Sequence, residues 1–576
     1  MLQRRAAWVM IALAMVSLAV AACGGGEEAD TTDHPTATPT ISASPTPPTT
    51  ATPAAAVSPT SEPGVGQPAV VDLQTASLKL TIFAADAGDL RNDVPALAAG
   101  DFNDDGLDDL LLGARFGDGP GTEMICDDHQ TVGDRCQAGE AYVIFGSPDL
   151  SGTVDIAQGQ QDLTIFGAKE GDNLGYGVAS GDVNDDGIDD IIVSSPLSEG
   201  PPEIRTDRGE VYVIFGHAGL GGTIDLAEGG EDVKTFAAEG FSLVGDSIAI
   251  ADVNGDGIDD MVLGAPFAGR EPGSPVGGPR TQLGEVYVIF GSPTLKGSVS
   301  IPEGEQDVTI SGGEQWSELG DAMASGDVNG DGIADIIAVA EAADEPNGER
   351  PNAGTVYVIF GSRELRGTVS IAERQQDLTI LGGDPNDAIG FSASSGDLNG
   401  DGIDDIVLVA QRADGVTNTR ETAGEAYIIW GSPDLGGTID VGKGEEDVII
   451  PGLDAHDLLS SSSARGDLNG DGIDDLILGT SFAHGPSNSR FGAGEAYIIF
   501  GSPTLQGVID AALAEEDVLI FGAAEGDRLG AAVASGDLDG DGKLEIILVA
   551  TDADGPDDAR PNAGEIYLLD LPQSGQ

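Results

Sequence analysis

Asp182-Val183-Asn184-Asp185-Asp186-Gly187-Ile188-Asp189-Asp190 runs directly into Ile191-Ile192-Val193, and this pattern recurs seven times, usually at intervals of 70 residues. Oxygen-bearing side chains fall at positions 1, 3, 5 and 9 around a glycine at position 6. The sets are Asp101, Asn103, Asp105, Asp109; Asp182, Asn184, Asp186, Asp190; Asp252, Asn254, Asp256, Asp260; and Asp327, Asn329, Asp331, Asp335. They continue with Asp397, Asn399, Asp401, Asp405; Asp467, Asn469, Asp471, Asp475; and Asp537, Asp539, Asp541, Glu545. A hard cation such as Ca2+ takes six to eight oxygens, and an alternating loop bent at glycine supplies side chains and a backbone carbonyl to one point. Magnesium demands stricter octahedral geometry, and transition metals prefer the His or Cys that these loops lack. The expectation is up to seven calcium sites, one per repeat. The alternative, acidic turns that cap strands without metal, is disfavoured by the sevenfold repetition.

A fixed internal period means units that bury their apolar faces only by stacking on one another, so the 576 residues are expected to hold one large repeat domain. With 99 acidic against 25 basic side chains, the formal net charge is −74. Nucleic acid and anionic membrane surfaces are excluded as partners, because both need positive charge. Seven divalent ions would still leave a charge of roughly −60.

Residues 1–22 combine Arg4 and Arg5 with an apolar run from Ala6 to Ala22, the pattern of a secretory signal. The segment ends Val20-Ala21-Ala22-Cys23, which resembles a bacterial lipobox. That resemblance implies a lipidated Cys23; the alternative is ordinary cleavage near Ala22. Residues 23–69 then form a Thr-, Pro-, Ala- and Ser-rich linker with almost no large apolar side chains, too poor in burial to fold. As extended polyproline II it could reach about 140 Å. The expected location is extracytoplasmic, at the cell surface, touching the membrane only through the anchor. Cys126 and Cys136 fall in one long loop, and in that compartment a disulfide is the simplest reading.

Residues 70–571 repeat one series of segments, seen in the second unit as Val178 to Gly181, the acidic loop, Asp190 to Val193, a variable loop, and Gly209-Glu210-Val211-Tyr212-Val213-Ile214-Phe215-Gly216. Thr223-Ile224-Asp225-Leu226 follows. Four short β-branched or aromatic segments between glycine-rich turns predict a four-stranded antiparallel blade. Near-continuous apolar runs require cover on both faces, which blades around an axis provide. The Gly-Glu-x-Tyr strand occurs at Gly139, Gly209, Gly284, Gly354, Gly424, Gly494 and Gly564, with Thr355 replacing the glutamate once. The outer-strand motif is centred on Asp72, Asp155, Asp225, Ser300, Ser370, Asp440 and Asp510, and none follows Tyr567. Its first copy, Val70-Val71-Asp72-Leu73, is therefore expected to supply the missing fourth strand of the last blade. An all-β, seven-bladed β-propeller closed by its own N-terminal strand is predicted, and closure removes exposed sheet edges.

Phe166-Gly167, Leu174-Gly175, the acidic loop and Gly264-Ala265-Pro266 resemble FG-GAP repeats, the repeat of the integrin α-subunit N-terminal β-propeller. The resemblance spans roughly residues 70 to 570. It implies seven blades with calcium on one face, and a binding module as the kind of function. The chain departs from the pattern in carrying an acidic loop in all seven repeats and a complete Gly-Ala-Pro only in the third.

Arg465-Gly466-Asp467 spells an adhesive tripeptide, but Asp467 is position 1 of the sixth loop, so it is read as a loop residue. Arg135, Arg205, Arg280, Arg350, Arg420, Arg490 and Arg560 each precede a Gly-x-x-Tyr strand by four residues. Ion pairs with Asp172, Asp387, Asp457 and Asp527 of neighbouring units are expected. No Gly-x-Ser-x-Gly or His-Glu-x-x-His motif occurs, and the five histidines lack metal-ligand spacing, so no catalytic residue is assigned. The loops 114–138 and 265–283 are the longest between second and third strands, which makes them the candidate partner surface. The function expected is an adhesion-like module binding a protein or a glycan. A hydrolase or lyase with its active site at the propeller channel is the alternative.

Overall fold

The computed structural model describes residues 68–571 apart from 87, 91–95, 120–134, 200–207, 238–241, 270–281, 346–347, 460–461 and 557–558. Residues 1–67 lie outside the description, and with them the signal, Cys23 and the linker.

Seven five-stranded sheets are formed. In the second blade Val178–Gly181, Asp190–Ser195, Glu210–Ile214 and Val233–Phe236 pair antiparallel in order, and Gly297–Ser300 adds in parallel outside them. The middle strands, DIIVSS and EVYVI, are buried at every position, as their unbroken apolar pattern requires. The outer strand is exposed at its first two residues, Gly297 and Ser298, and carries a serine or threonine there in most blades.

The predicted blade is corrected in one respect. Thr223-Ile224-Asp225 does not complete its own unit; Gly222–Asp225 pairs in parallel with Leu163–Phe166 of the preceding blade. The fourth strand is the segment ending in the Phe-Gly dipeptide, here Leu163–Phe166, antiparallel to Glu140–Ile144. Each unit thus donates its outer strand backwards. Closure follows the same rule: Leu80–Phe83 is the fourth strand of the last blade, against Glu565–Leu569, with Gly152–Asp155 outside it. Ala69–Asp72 closes the sixth blade instead, in parallel with Val518–Phe521. The N-terminal segment seals the ring with two strands rather than one.

The core lies between blades. Alternate side chains of one strand face opposite neighbours, so Leu110 and Leu112 pack toward the seventh blade while Leu111 packs toward the second. Seven such apolar clusters occur, and the one joining the last blade to the first has Leu80, Ile82, Ile566 and Leu568 against Leu110, Leu112 and Ile144. The closing interface is as apolar as the others.

The arginine ring does make ion pairs, but with other partners than expected. Arg350 grips Asp440 with two bonds, at 2.7 and 2.8 Å, and Arg135 grips Asp225 likewise, at 2.6 and 2.7 Å. Arg420 pairs with Asp510, Arg490 with Asp72 and Arg560 with Asp155. Each aspartate ends or, as Asp510 does, closely follows a donated outer strand, so the guanidinium pins that strand to the blade receiving it. Arg420 also donates to the carbonyl of Gly452, the turn glycine after the fourth strand, at 2.7 Å. That turn admits no side chain at Gly167, where a Cβ would stand 2.1 Å from the Ala138 carbonyl oxygen. Asp387 and Asp457 instead accept the backbone N–H of Asp384 and Asp454, both at 3.2 Å, and Asp527 accepts that of Ala524 at 3.0 Å. Asp172 is buried, with no arginine partner among the described residues. Arg205 and Arg280 lie outside the described residues.

Candidate metal centre

Each acidic loop joins the first strand of a blade to the second, placing all seven on one face. Position 1 follows the first strand directly, and position 9 opens the second strand. In the first loop Asp101 turns inward, its two carboxylate oxygens accepting the N–H groups of Asp105 at 3.1 Å and Gly106 at 2.8 Å. Asp105 accepts from Leu107 at 3.0 Å. Gly106, at φ 85°, supplies the left-handed bend that a side chain would strain.

Position 9 is the buried anchor. Asp109, Asp190, Asp260, Asp335, Asp405 and Asp475 have no solvent exposure. Asp109 accepts from Phe102 N–H at 3.1 Å and from Gly146 N–H at 2.8 Å, so it ties its loop to the end of the third strand. The same two bonds hold Asp190, Asp260, Asp335, Asp405 and Asp475. Burial, opposed by those N–H groups and reinforced by the charges at positions 1 and 5, pushes the Asp109 carboxyl up to about 7. The other five are likewise pushed to about 7. A loop without a cation therefore holds a carboxylate that lacks countercharge.

Position 3 lies against it. Asn184 Nδ2 is 2.9 and 3.1 Å from the two oxygens of Asp190, and Asn103, Asn254, Asn329, Asn399 and Asn469 reach position 9 in the same way. An amide donor thus stands where positive charge is wanted, and a half-turn exchanges its nitrogen for an oxygen ligand. Three carboxylates and one amide in each of the first six loops supply an all-oxygen donor set, which fits a hard divalent cation.

The seventh loop differs. Asp537, Asp539 and Asp541 converge to within 4.8 Å of one another, and Glu545 accepts the Leu538 N–H at 2.8 Å. There Lys79 Nζ stands 2.6 Å from Glu545 Oε1.

A second set of acids, at position 8, ties one loop to the next. Asp189 accepts the N–H of Asp101 at 3.1 Å, Asp259 that of Asp182 at 3.2 Å, and Asp404 that of Asp327 at 2.9 Å. Asp108 accepts the N–H of Asp537 at 2.8 Å, across the point where the ring closes. The sequence pattern held a signal for these residues, since Asp108, Asp189, Asp259, Asp404 and Asp474 share one place in their loops.

Arg465-Gly466 belongs to the strand Ser463–Gly466, and Asp467 caps the N–H groups of Gly470, Asp471 and Gly472 at 2.7, 2.9 and 2.8 Å. The tripeptide is part of a loop's turn, not a loop tip. Cys136 is buried, while Cys126 lies outside the described residues, as do most of loops 114–138 and 265–283.

The Gly-Glu-x-Tyr signature is explained on the opposite face. Residues two apart in a strand share a side, and Tyr212 Oη donates to Glu210 at 2.6 Å, Tyr567 Oη to Glu565 at 2.6 Å. Where a cation is near, as with Lys234 at 2.8 Å from Glu210, the carboxylate stays ionised. Elsewhere burial and then the charges of Asp457 and Asp454 raise Glu495 to about 8, and burial together with Asp387 and Asp384, against the Tyr427 hydrogen bond, raises Glu425 to about 7. A carboxyl raised above its unfolded value stabilises the fold as the neutral acid, fully below about pH 4.5, and that contribution is lost as pH rises through 7 to 8. In saturating calcium, which removes the loops from the balance, the melting temperature should fall between pH 5 and 8.5. Glu495→Gln should flatten that fall and be more stable than wild type at pH 8.5. Equal slopes for the two proteins would contradict the assignment.

Residues 94–144, 174–214, 244–289, 319–359, 389–429, 460–499 and 529–569 match the FG-GAP repeat, each covering the first three strands of a blade with its acidic loop. Integrin alpha pat-2 of Caenorhabditis elegans is 29% identical over 284 residues, 46% of this chain and 21% of the relative. Phosphatidylinositol-glycan-specific phospholipase D of Bos taurus is 35% identical over 168 residues, 28% of this chain and 18% of the relative. The Homo sapiens protein of that name is 30% identical over 223 residues, 38% of this chain and 24% of the relative. The chain thus spans about a fifth of the length of the relatives it matches. With its seven matching segments set one to a blade, the chain belongs to the FG-GAP repeat family.

Proposed function

We propose that this chain is a calcium-stabilised propeller, held outside the cytoplasm by a lipid on Cys23, which binds a protein or a glycan in an adhesion-like role. The observation that carries the reading is the set of buried position 9 carboxylates, one at the base of each aspartate-rich loop on one face of the seven-bladed scaffold. Calcium is structural in this reading, since every loop fixes a strand start and not a channel wall. The similarity to an integrin α subunit supports a binding role, and the short coverage of the relatives gives no warrant for transferring their activities. The opposite face, with loops 114–138 and 265–283 and a Cys126–Cys136 disulfide bracing the first, offers the partner surface.

The test is binding of the full-length protein to arrayed extracellular proteins and glycans, beside variants shortened in loops 114–138 and 265–283. A ligand lost on loop shortening, with the melting temperature retained, supports the reading. Binding that ignores both loops, or none at all, sinks it. Cys23→Ser should move the protein from the membrane to the soluble fraction.

A further inference from the structure

Six blades carry an aspartate immediately before the fourth strand: Asp162, Asp232, Asp307, Asp377, Asp447 and Asp517. Each accepts the N–H of the aromatic residue that follows the third strand, as Asp162 does from Phe145 at 2.9 Å and Asp447 from Trp430 at 2.9 Å. In the seventh blade both partners are exchanged. The place of the aspartate is taken by Lys79, just before Leu80–Phe83, and the place of the aromatic by Asp570.

Lys79 reaches into the acidic loop. Its ammonium donates to Glu545 Oε1 at 2.6 Å and Asp570 Oδ1 at 2.9 Å, and it pairs with Asp539. Asp539 and Glu545 are positions 3 and 9 of the seventh loop. The side chain of Lys79 is only 13% exposed, so this is an enclosed cation. The loop has changed around it: it alone has aspartate at position 3, glutamate at position 9 and a lysine, Lys543, at position 7. The added carboxylate of Asp539 matches the added charge of Lys79.

The donor oxygens of Asp537, Asp539 and Asp541 converge here as no other acidic group among the described residues does, and one oxygen of Asp537 is buried without a hydrogen bond. Two members of the set, Asp539 and Glu545, are nevertheless turned onto an ammonium that the chain supplies. A divalent ion among them would sit against a fixed positive charge.

We propose that Lys79 is the built-in cation of the seventh loop, so that the propeller takes up six divalent ions and holds its closing strand by a bond that chelators cannot remove. The proposal rests on the calcium reading of the other six loops. Native mass spectrometry of the full-length protein in millimolar calcium should count six ions in wild type and in Lys79→Arg, and seven in Lys79→Met. Should Lys79→Met fail to fold, Lys79→Met with Asp539→Asn restores the amide found at position 3 of the other loops and should also hold seven. Seven ions in wild type, or six in the foldable charge-removed variant, overturns the built-in cation while leaving calcium binding intact. No ion in any of them overturns the calcium reading together with it.

Discussion

Chelating divalent cations from the full-length protein should lower its melting temperature by about 8 °C relative to the protein in calcium at ten times the dissociation constant. Each occupied site contributes about 1.4 kcal/mol at that concentration, and six give about 8 kcal/mol. Spread over an unfolding entropy of about 1 kcal/mol/K for roughly 500 residues, this is the stated shift. The physical source is the position 9 carboxylates, which have no solvent exposure and no countercharge within their loops except a cation. Calcium titrated back should restore the transition, and magnesium should do so poorly because of its stricter geometry. A melting temperature indifferent to chelator would overturn calcium as a structural ligand.

Removing the two closing strands should cost about as much as removing the ions and also leave sheet edges open. Deletion of residues 1–67 leaves every described strand in the chain, and its melting temperature should equal that of the full chain. Deletion of residues 1–84 removes Ala69–Asp72 and Leu80–Phe83, leaving Val518–Phe521 without its outer partner and Glu565–Leu569 with a bare edge. Leu80 and Ile82, at 1% and 0% exposure, leave the core between the last and first blades. At about 2–5 kcal/mol for each large side chain, the burial alone is worth roughly 4–10 kcal/mol. The unpaired edges add a template for association. Calorimetry should show a melting temperature lower by roughly 4–10 °C, and gel filtration should show oligomers. A monomer that melts with the full chain would mean that the ring does not depend on these strands.

Blade number and the place of the acidic loops were legible in the sequence because both are local. An aspartate series bent at glycine, repeated every 70 residues or so, states one unit each time. Strand partnership was not legible to the same degree. Thr223-Ile224-Asp225 looks like the end of the unit it follows, yet its hydrogen bonds go to Leu163–Phe166 behind it. Nothing in a short strand's own residues names the backbone it will pair with. The true fourth strands are only four residues long, as in VKTF, and offer little alternation to read. The arginine partners were missed for the same reason, since Asp225 becomes a neighbour of Arg135 only once the outer strand crosses to the preceding blade. Lys79 reads as one lysine among 25 basic residues until the repeats are laid over the observed strands and it falls where six aspartates stand.

Backward strand donation also governs what can happen to the repeat count. A 70-residue unit spans parts of two blades, so excising one would join a foreign outer strand to the remaining sheet and misplace its arginine clamp. Gain or loss of a unit is therefore paid for at the junction as well as in the angle each blade subtends. Among stacked repeats an array can grow by duplication at little cost. Here the closed circle resists such drift.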